Sequence, residues 1–386
     1  MTKDLYNIAP YTEAEAREAI EKLSNHPGTL LISKYLFPDK SIFFLRNTLR
    51  SIHSVDEFQE KVMSEAVRWV LDSSVDSFTV SGIENVKAMG DQKFIAMSNH
   101  RDIVLDPAFT QYVLLQNGIP LTEIAVGDNL LSSKTVEYLL RVNRMITVIR
   151  GISAREQYLS SQVLSKYIRE SVTTGRSSVW IAQRQGRTKD GYDLTEQGLL
   201  KMFDMSGTKG FEENFRELHI LPISISYEYE PCDVRKAREL LISRSRKYVK
   251  KKNEDTHSII MGIRQPKGRV HMHFSEPLTD AEIREGAACD RNDRYQTIRG
   301  IVSRRIISGY KLWKTNSLCY DLVNGTDKYA SHYTADDVAS FKKYMEHRIS
   351  TKVERRYIGD ELREIFLRIY ANPVQAKEDL GLPAEP

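Results

Sequence analysis

The sequence predicts an α/β fold in which a largely parallel sheet is flanked by helices, with helical N-terminal and C-terminal extensions. Seven short apolar runs alternate with longer segments whose apolar residues recur at helical spacing, an order typical of parallel sheets. Two helix starts are marked by capping boxes, Ser153 with Glu156 and Thr279 with Glu282. Before and after this region only helical periodicity remains, which predicts the two extensions.

The seven predicted strands fall in one continuous part of the chain. They cover residues 78–80, 94–97, 124–126, 146–149, 179–182, 220–226 and 270–274. We therefore predict an α/β domain at 76–289, a helical N-terminal region at 1–75 and a helical C-terminal region at 290–386. The main helices predicted in the two flanking regions are 14–23, 56–71, 292–314, 335–352 and 359–370. The tail from Asn372 onward is expected to be frayed.

Composition excludes several classes of protein. Of the 386 residues, 41% are hydrophobic and 28% are charged, with a formal net charge of +4, which excludes disordered, collagen-like and coiled-coil chains. Cys232, Cys289 and Cys319 share no metal-ligand spacing and are too few to staple an extracellular fold, so we expect a reducing cytoplasm and no metal. We find neither a signal-peptide core nor an apolar run long enough to span a membrane, and expect a soluble or peripheral protein.

A candidate general base follows the second predicted strand. His100 lies just past the carboxyl end of that strand, and the carboxylates of Asp102 and Asp106 follow it closely. Ligand sites lie at the carboxyl ends of parallel strands, and a carboxylate beside a histidine fixes its tautomer and stabilises the imidazolium. A purely structural alternative stays open, because Asp106-Pro107 also fits an ordinary helix start with His100 as a loop residue.

Cationic side chains follow two further predicted strands. Arg150 ends the run 146–149, and the loop after strand 179–182 contains Gly186, Arg187 and Lys189. A glycine-containing basic loop beyond a strand end is a plausible phosphate cradle, although each element alone also fits a surface arginine or a basic turn. Together with His100, these elements indicate that a hydroxyl is activated beside an anion.

Four sequence blocks in order resemble the glycerol-3-phosphate and 1-acylglycerol-3-phosphate acyltransferase superfamily, most of all its bacterial membrane-associated glycerol-3-phosphate acyltransferases. The first block is SNHRDIVLD at 98–106, and the second is GDNL at 127–130 followed by RMITVIRG at 144–151. The third block is QGRTK at 185–189, and the fourth is ILPISI at 220–225. A closing strand, GRVHMHFSEPL at 268–278, ends in the Glu-Pro pair found in the family.

The resemblance implies roles for individual residues. His100 and Asp106 form the catalytic pair, although five residues separate them where the family has four, which leaves Asp102 as the alternative acid. The third block has Arg184-Gln185 where the family has a glutamate. The other implied site residues are the phosphate-binding Arg150, Gly186, Arg187 and Lys189 and the acyl-site residues Pro222 and Ile223.

The resemblance also implies the reaction and the partners. An acyl group passes directly from acyl-CoA or acyl carrier protein to a hydroxyl of glycerol 3-phosphate or of the lysophospholipid 1-acylglycerol 3-phosphate, in phospholipid synthesis and without a cofactor. The enzyme is expected at the cytoplasmic face of a bacterial inner membrane, with a cytosolic fraction. Two alternatives stay open: an acyltransferase for another lipid hydroxyl, such as that of an aminolipid, and a catalytically degenerate homologue that binds membrane or acyl carrier protein.

A basic segment at 235–252 has nine basic residues and one acidic residue, a net charge of +8. Its apolar residues recur at helical spacing, which predicts a basic amphipathic helix that binds an anionic membrane surface or an acidic acyl carrier protein. The structural alternative is a charged helix that is exposed to solvent and has no binding role. We find no nucleic-acid-binding motif. The predicted contact residues are Arg244, Arg246, Lys247, Lys250, Lys251 and Lys252.

Overall fold

The computed structural model describes residues 7–131, 133–150 and 152–385. Its seven strands form one sheet, and each coincides with a predicted strand to within a few residues. The strands are β1 Ser77–Ser81, β2 Ile95–Ser98, β3 Glu123–Gly127, β4 Met145–Val148, β5 Val179–Ala182, β6 Ile220–Tyr227 and β7 Arg269–Phe274. The predicted α/β class, with helical extensions at both ends, is confirmed.

The sheet has the strand order β1-β7-β6-β2-β5-β3-β4. Neighbouring strands run parallel except β6 and β7, which are antiparallel. The sheet is therefore largely parallel, as predicted. Every residue of β2 and β6 is buried, because helices cover both faces of the sheet. Since β2, β3, β4 and β5 run parallel, the loops that follow them meet at one edge of the sheet.

Helices make up most of the remaining described chain. They are α1 Glu13–Asn25, α2 Gly28–Leu36, α3 Phe44–Arg50, α4 Val55–Phe58, α5 Ser64–Ser74, α6 Ile83–Ala88, α7 Leu105–Gln116, α8 Lys134–Val142, α9 Ala154–Thr173, α10 Gln197–Asp204, α11 Phe211–Arg216, α12 Asp233–Ser245, α13 Glu254–Arg264, α14 Asp280–Ala287, α15 Asp293–Ser308, α16 Lys314–Asn324, α17 Ala335–Lys352 and α18 Asp360–Asp379. Both predicted capping boxes form, at the starts of α9 and α14.

The helices before β1 have an apolar core of their own, which includes Leu23, Phe37 and Phe58. The predicted helices 14–23 and 56–71 are found as α1 and as α4 and α5, which are joined by a π-helical turn at Gln59–Met63. Val142 of α8 is buried in the same core, so this region packs against the α/β domain.

The helices after β7 differ from the prediction in two places. The predicted helix 292–314 ends at Ser308, and α16 starts separately at Lys314. The prediction of a frayed tail from Asn372 is wrong, because α18 continues to Asp379 and buries Val374 and Ala376. Tertiary packing stabilises this last part of the helix even though it contains a proline.

The basic segment 235–252 is not one continuous helix, contrary to the prediction. Helix α12 ends at Ser245, and an irregular loop leads to α13, which begins at Glu254. Asn253, just before α13, has a positive φ of 64°, a turn conformation that Asn tolerates better than most residues. Within the described residues, no helix is both long enough and apolar enough to cross a membrane.

Candidate active site

His100 lies in the loop after β2 and lines an open cleft. Its Nδ1 atom lies 2.9 Å from Oδ2 of Asp106 in the first turn of α7. A carboxylate only accepts hydrogen bonds, so Nδ1 carries the proton and Nε2 is left as the basic nitrogen. The His100 side chain is 14% exposed, whereas that of Asp106 is fully buried. The pair therefore has the geometry of a general base oriented by an acid.

Four groups fix the carboxylate of Asp106. Its Oδ2 also accepts the backbone N–H groups of Arg101 at 2.6 Å and Asp102 at 2.8 Å. Its Oδ1 accepts the hydroxyl of Tyr227, from the end of β6, at 2.7 Å. Burial, together with the Asp106 carboxylate, raises the pKa of Tyr227 well above its ordinary value, so its hydroxyl stays a donor. Tyr227 is a site residue that sequence reasoning missed.

Asp102 is a helix cap, and the alternative in which it orients His100 is not what the structure shows. Its Oδ1 accepts the backbone N–H groups of Val104 and Leu105, each at 2.9 Å, at the start of α7. Such a cap satisfies donors that would otherwise have no partner. Its Oδ2 lies 2.0 Å from the place where a Cβ would lie on Gly262 of α13, so only glycine fits there.

Arg150 follows β4 and lies in the same cleft as His100. Its backbone N–H donates to Oδ1 of Asp128 at 3.2 Å. Its guanidinium lies against the backbone of Gly127, where an added Cβ would be 3.0 Å from Cζ of Arg150. Burial lowers the pKa of Arg150, and the carboxylates of Asp128 and Asp255 partly offset that effect. The structure places Arg150 in the cleft, and its role at an anion site stays a prediction.

The loop after β5 contributes Gly186 and Arg187 to the cleft. Gly186 has a φ of 72°, which favours glycine. Burial by itself lowers the pKa of Arg187, but Cys232 and Asp102 outweigh this effect and raise it. Among the described residues, the buried Nη1 of Arg187 has no hydrogen-bond partner. A buried guanidinium N–H of this kind is suited to an anionic ligand.

Lys189 and the two implied acyl-site residues lie away from the cleft. Lys189 forms an ion pair with Glu239 of α12, so its ammonium is not directed into the cleft. Pro222 and Ile223 are buried inside the sheet, in β6 beside Met97 and Ser98 of β2. They support the strand next to the His100 loop but do not line the described cleft.

Sequence reasoning also missed part of the cleft wall. The Trp180 ring lies edge-on to the His100 ring, with centroids 5.8 Å apart, and Trp180 lines the cleft with Ile103 and Pro107. These side chains give the histidine an apolar surrounding. Nothing in the local pattern marks Trp180, because it resembles any other buried residue of a parallel strand.

Buried charges lie behind the His100 loop. The Arg101 guanidinium pairs with Asp193 at 2.7 Å and with Glu230 at 3.1 Å, and Lys236 pairs with the other oxygen of Glu230. All four side chains are at most 5% exposed. Burial lowers the pKa of Arg101, but Asp193 and Glu230 outweigh burial and raise it. Arg101, the residue after His100, is therefore held in place by ion pairs within a buried group of two cations and two anions.

The predicted contact residues of the basic segment divide into three groups. Arg244 and Lys251 pair with Glu361 at 2.8 Å and Glu354 at 3.6 Å, from the C-terminal region. Arg246 donates to the hydroxyl of Tyr357 at 3.4 Å. The residues without such a contact to the C-terminal region are Lys247 and Lys252, which are exposed, and Lys250, which lines the cleft.

Comparison with known proteins matches residues 77–226 to the family model described as Acyltransferase. The matched stretch makes up 150 of the 386 residues, and this central part of the chain is similar to the acyltransferase family. The matched stretch holds His100, Asp106, Arg150 and Arg187, and so includes most of the cleft described above. The resemblance predicted from the sequence blocks is confirmed at the level of the family.

Curated proteins similar to this chain carry two related names. A dihydroxyacetone phosphate acyltransferase of Bos taurus is 24% identical over 210 residues, which cover 53% of this chain and 29% of that protein. A glycerol-3-phosphate acyltransferase of Pseudomonas syringae pv. tomato is 28% identical over 243 residues, 62% of this chain and 27% of that protein. A human dihydroxyacetone phosphate acyltransferase is 24% identical over 266 residues, 64% of this chain and 36% of that protein. The matches thus cover about a third of each relative's length.

Proposed function

We propose that this chain transfers a fatty acyl group from a thioester donor to a hydroxyl of a small glycerol-phosphate-like acceptor. The observation that carries the proposal is a single cleft in which a histidine paired with a buried carboxylate lies with two arginines. The base suits hydroxyl activation, and the guanidinium groups suit a phosphate. The family match and the relatives' names support the same class of reaction.

The proposed reaction is one direct transfer. Nε2 of His100 takes the proton of the acceptor hydroxyl while the hydroxyl oxygen attacks the thioester carbonyl. The carbon–sulfur bond breaks, and the departing thiolate receives the proton from the imidazolium. Asp106 stabilises that imidazolium through Nδ1. Arg150 and Arg187 hold the acceptor phosphate so that the hydroxyl lies near the base, which replaces a random encounter by a bound geometry.

An acyl-transfer assay identifies the acceptor and the donor. Glycerol 3-phosphate and dihydroxyacetone phosphate, the acceptors in the relatives' names, each contain a phosphate and a free hydroxyl on a three-carbon unit. The assay supplies labelled acyl-CoA or acyl carrier protein with either acceptor, with 1-acylglycerol 3-phosphate or with a monoacyl aminolipid. Product with a phosphate-containing acceptor alone supports the proposal, and product with only the aminolipid, or none with any acceptor, contradicts it.

Arg187→Ala is expected to raise the KM for the phosphate-containing acceptor by about 10-fold or more and to change the donor KM little, because a charge-assisted hydrogen bond to phosphate is lost. Steady-state kinetics with each substrate varied in turn measure the split. Arg184→Ala is the matched control, since Arg184 lies on the same loop but lines a different surface groove with Glu196 and Arg299. Equal effects on both KM values would contradict a phosphate role for Arg187.

We further propose a peripheral association with anionic membrane through the exposed lysines of the basic segment, Lys247 and Lys252. Lys247→Glu with Lys252→Glu is expected to reduce flotation with anionic liposomes, since each cation near such a surface contributes about 1 kcal/mol. Flotation with neutral liposomes is the control. Equal flotation of wild type with neutral and anionic liposomes contradicts an electrostatic contact. Docking of acyl carrier protein predicts that lipid charge has no effect.

A further inference from the structure

The loop between α12 and α13 brings a third cation to the cleft. Lys250 lines the cleft together with His100, Arg150 and Arg187. This loop lies outside the residues matched by the family model, which end at 226. The residues on either side of Lys250, Val249 and Lys251, are exposed. The cleft wall therefore includes one lysine of the basic segment, for which the sequence predicts contact with a membrane surface or with acyl carrier protein.

A carboxylate holds Lys250 at the cleft. Its ammonium lies 2.7 Å from Oδ1 of Asp255, and the other oxygen of Asp255 accepts a hydrogen bond from Nδ2 of Asn129 at 3.0 Å. Asn129 and Asp255 both line the cleft as well. Burial raises the pKa of Asp255, but the contacts with Lys250 and Asn129 and the charge of Arg187 together outweigh burial and hold it below its ordinary value. The lysine is thus fixed to the cleft wall by two elements, the turn after β3 and the start of α13.

We propose that Lys250 is a third phosphate-binding residue of the acceptor site, an inference that rests on the proposed function. The Lys250 ammonium has three donors, so it can keep its contact with Asp255 and still donate to a phosphate oxygen. Its side chain is 48% exposed, so an entering ligand can reach it. A phosphate monoester has a charge of about −1.5 to −2, which two arginines and a lysine balance against the anionic Asp255.

The same geometry separates Lys250 from the other cations of its segment. Lys251 lies 3.6 Å from Glu354, and Arg244 pairs with Glu361, so both belong to the contact with the C-terminal region. Lys250 alone among the predicted membrane-contact residues lines the cleft. We therefore assign Lys250 to the acceptor site and not to the membrane contact.

The test measures binding and turnover separately in the full chain. Calorimetric titration with glycerol 3-phosphate gives the Kd, and steady-state kinetics give the two KM values. Lys250→Met, which keeps the length of the side chain and removes its charge, is expected to weaken binding of glycerol 3-phosphate by about 10-fold and to raise the acceptor KM similarly. The donor KM and the thermal unfolding midpoint are expected to stay at wild-type values.

Two further variants complete the test. Lys166→Met, at an exposed lysine of α9, is expected to bind glycerol 3-phosphate as tightly as wild type. Lys250→Arg is expected to retain most of the affinity because it keeps the charge. Wild-type affinity in Lys250→Met, or an equal loss in Lys166→Met, overturns the assignment. If wild type binds glycerol 3-phosphate and Lys250→Met does not, but wild type forms no acylated product, the transferase proposal fails while the phosphate site stands.

Discussion

His100→Ala is expected to lower kcat for acyl transfer by about 100-fold to 10,000-fold, the usual contribution of a positioned general base. The reason is that His100, which pairs with the buried carboxylate of Asp106, is the only histidine among the described residues that lines the cleft. The fold is expected to survive, since Asp106 keeps its hydrogen bonds from Tyr227 and from two backbone N–H groups. Initial-rate assays and the thermal unfolding midpoint measure the two effects.

A matched control comes from another histidine. His347 is exposed on α17, and His347→Ala is expected to leave kcat unchanged. Asp106→Asn is expected to lower kcat in the same direction as His100→Ala, because an amide no longer selects the imidazole tautomer or stabilises the imidazolium. A His100→Ala protein that is folded and fully active would contradict the general-base assignment.

Glu230→Gln is expected to lower the free energy of unfolding by about 3–5 kcal/mol, the usual cost of removing one partner from a buried ion pair. Glu230 pairs with both Arg101 and Lys236, and the three side chains are at most 5% exposed. Its neutralisation leaves two buried cations with only the Asp193 carboxylate to balance them. The effect is a net uncompensated charge in the interior, directly behind the His100 loop.

Urea denaturation of the two proteins measures this difference. Glu18→Gln provides the control, because Glu18 and Lys22 form an exposed pair on α1 and its loss is expected to cost less than about 1 kcal/mol. A Glu230→Gln protein as stable as Glu18→Gln would show that the buried charges contribute little to stability.

The strands of the sheet were predictable from sequence because each is a short apolar run bounded by polar turn residues. The first two predicted strands, 78–80 and 94–97, begin and end within one residue of β1 and β2. The strand order and the antiparallel pairing of β6 with β7 were not predictable. A buried strand has a similar apolar sequence whether it pairs parallel or antiparallel with its neighbour. The end of α18 was missed because its stability comes from burial of Val374 and Ala376 against other helices.

The candidate site was predictable in part. His100, Arg150 and Arg187 each follow a strand, and parallel strands bring the loops after them to one edge. The choice between Asp106 and Asp102 depended on the course of a loop only a few residues long, where either carboxylate could turn toward the ring. The positions of Lys189 and Lys250 were not predictable, because an ion pair with Glu239 holds Lys189 away from the cleft and a contact with Asp255 holds Lys250 at it.

The sequence by itself determined the α/β class, the positions of the strands and the place of His100, Arg150 and Arg187 after strand ends, because these depend on local periodicity and on which loop follows which strand. Only the tertiary structure decided which carboxylate orients His100, which lysine reaches the cleft and where the helices end. These features depend on contacts between segments far apart in the chain, such as Tyr227 with Asp106 and Asn129 with Asp255. Such contacts leave no mark on the local pattern of either segment.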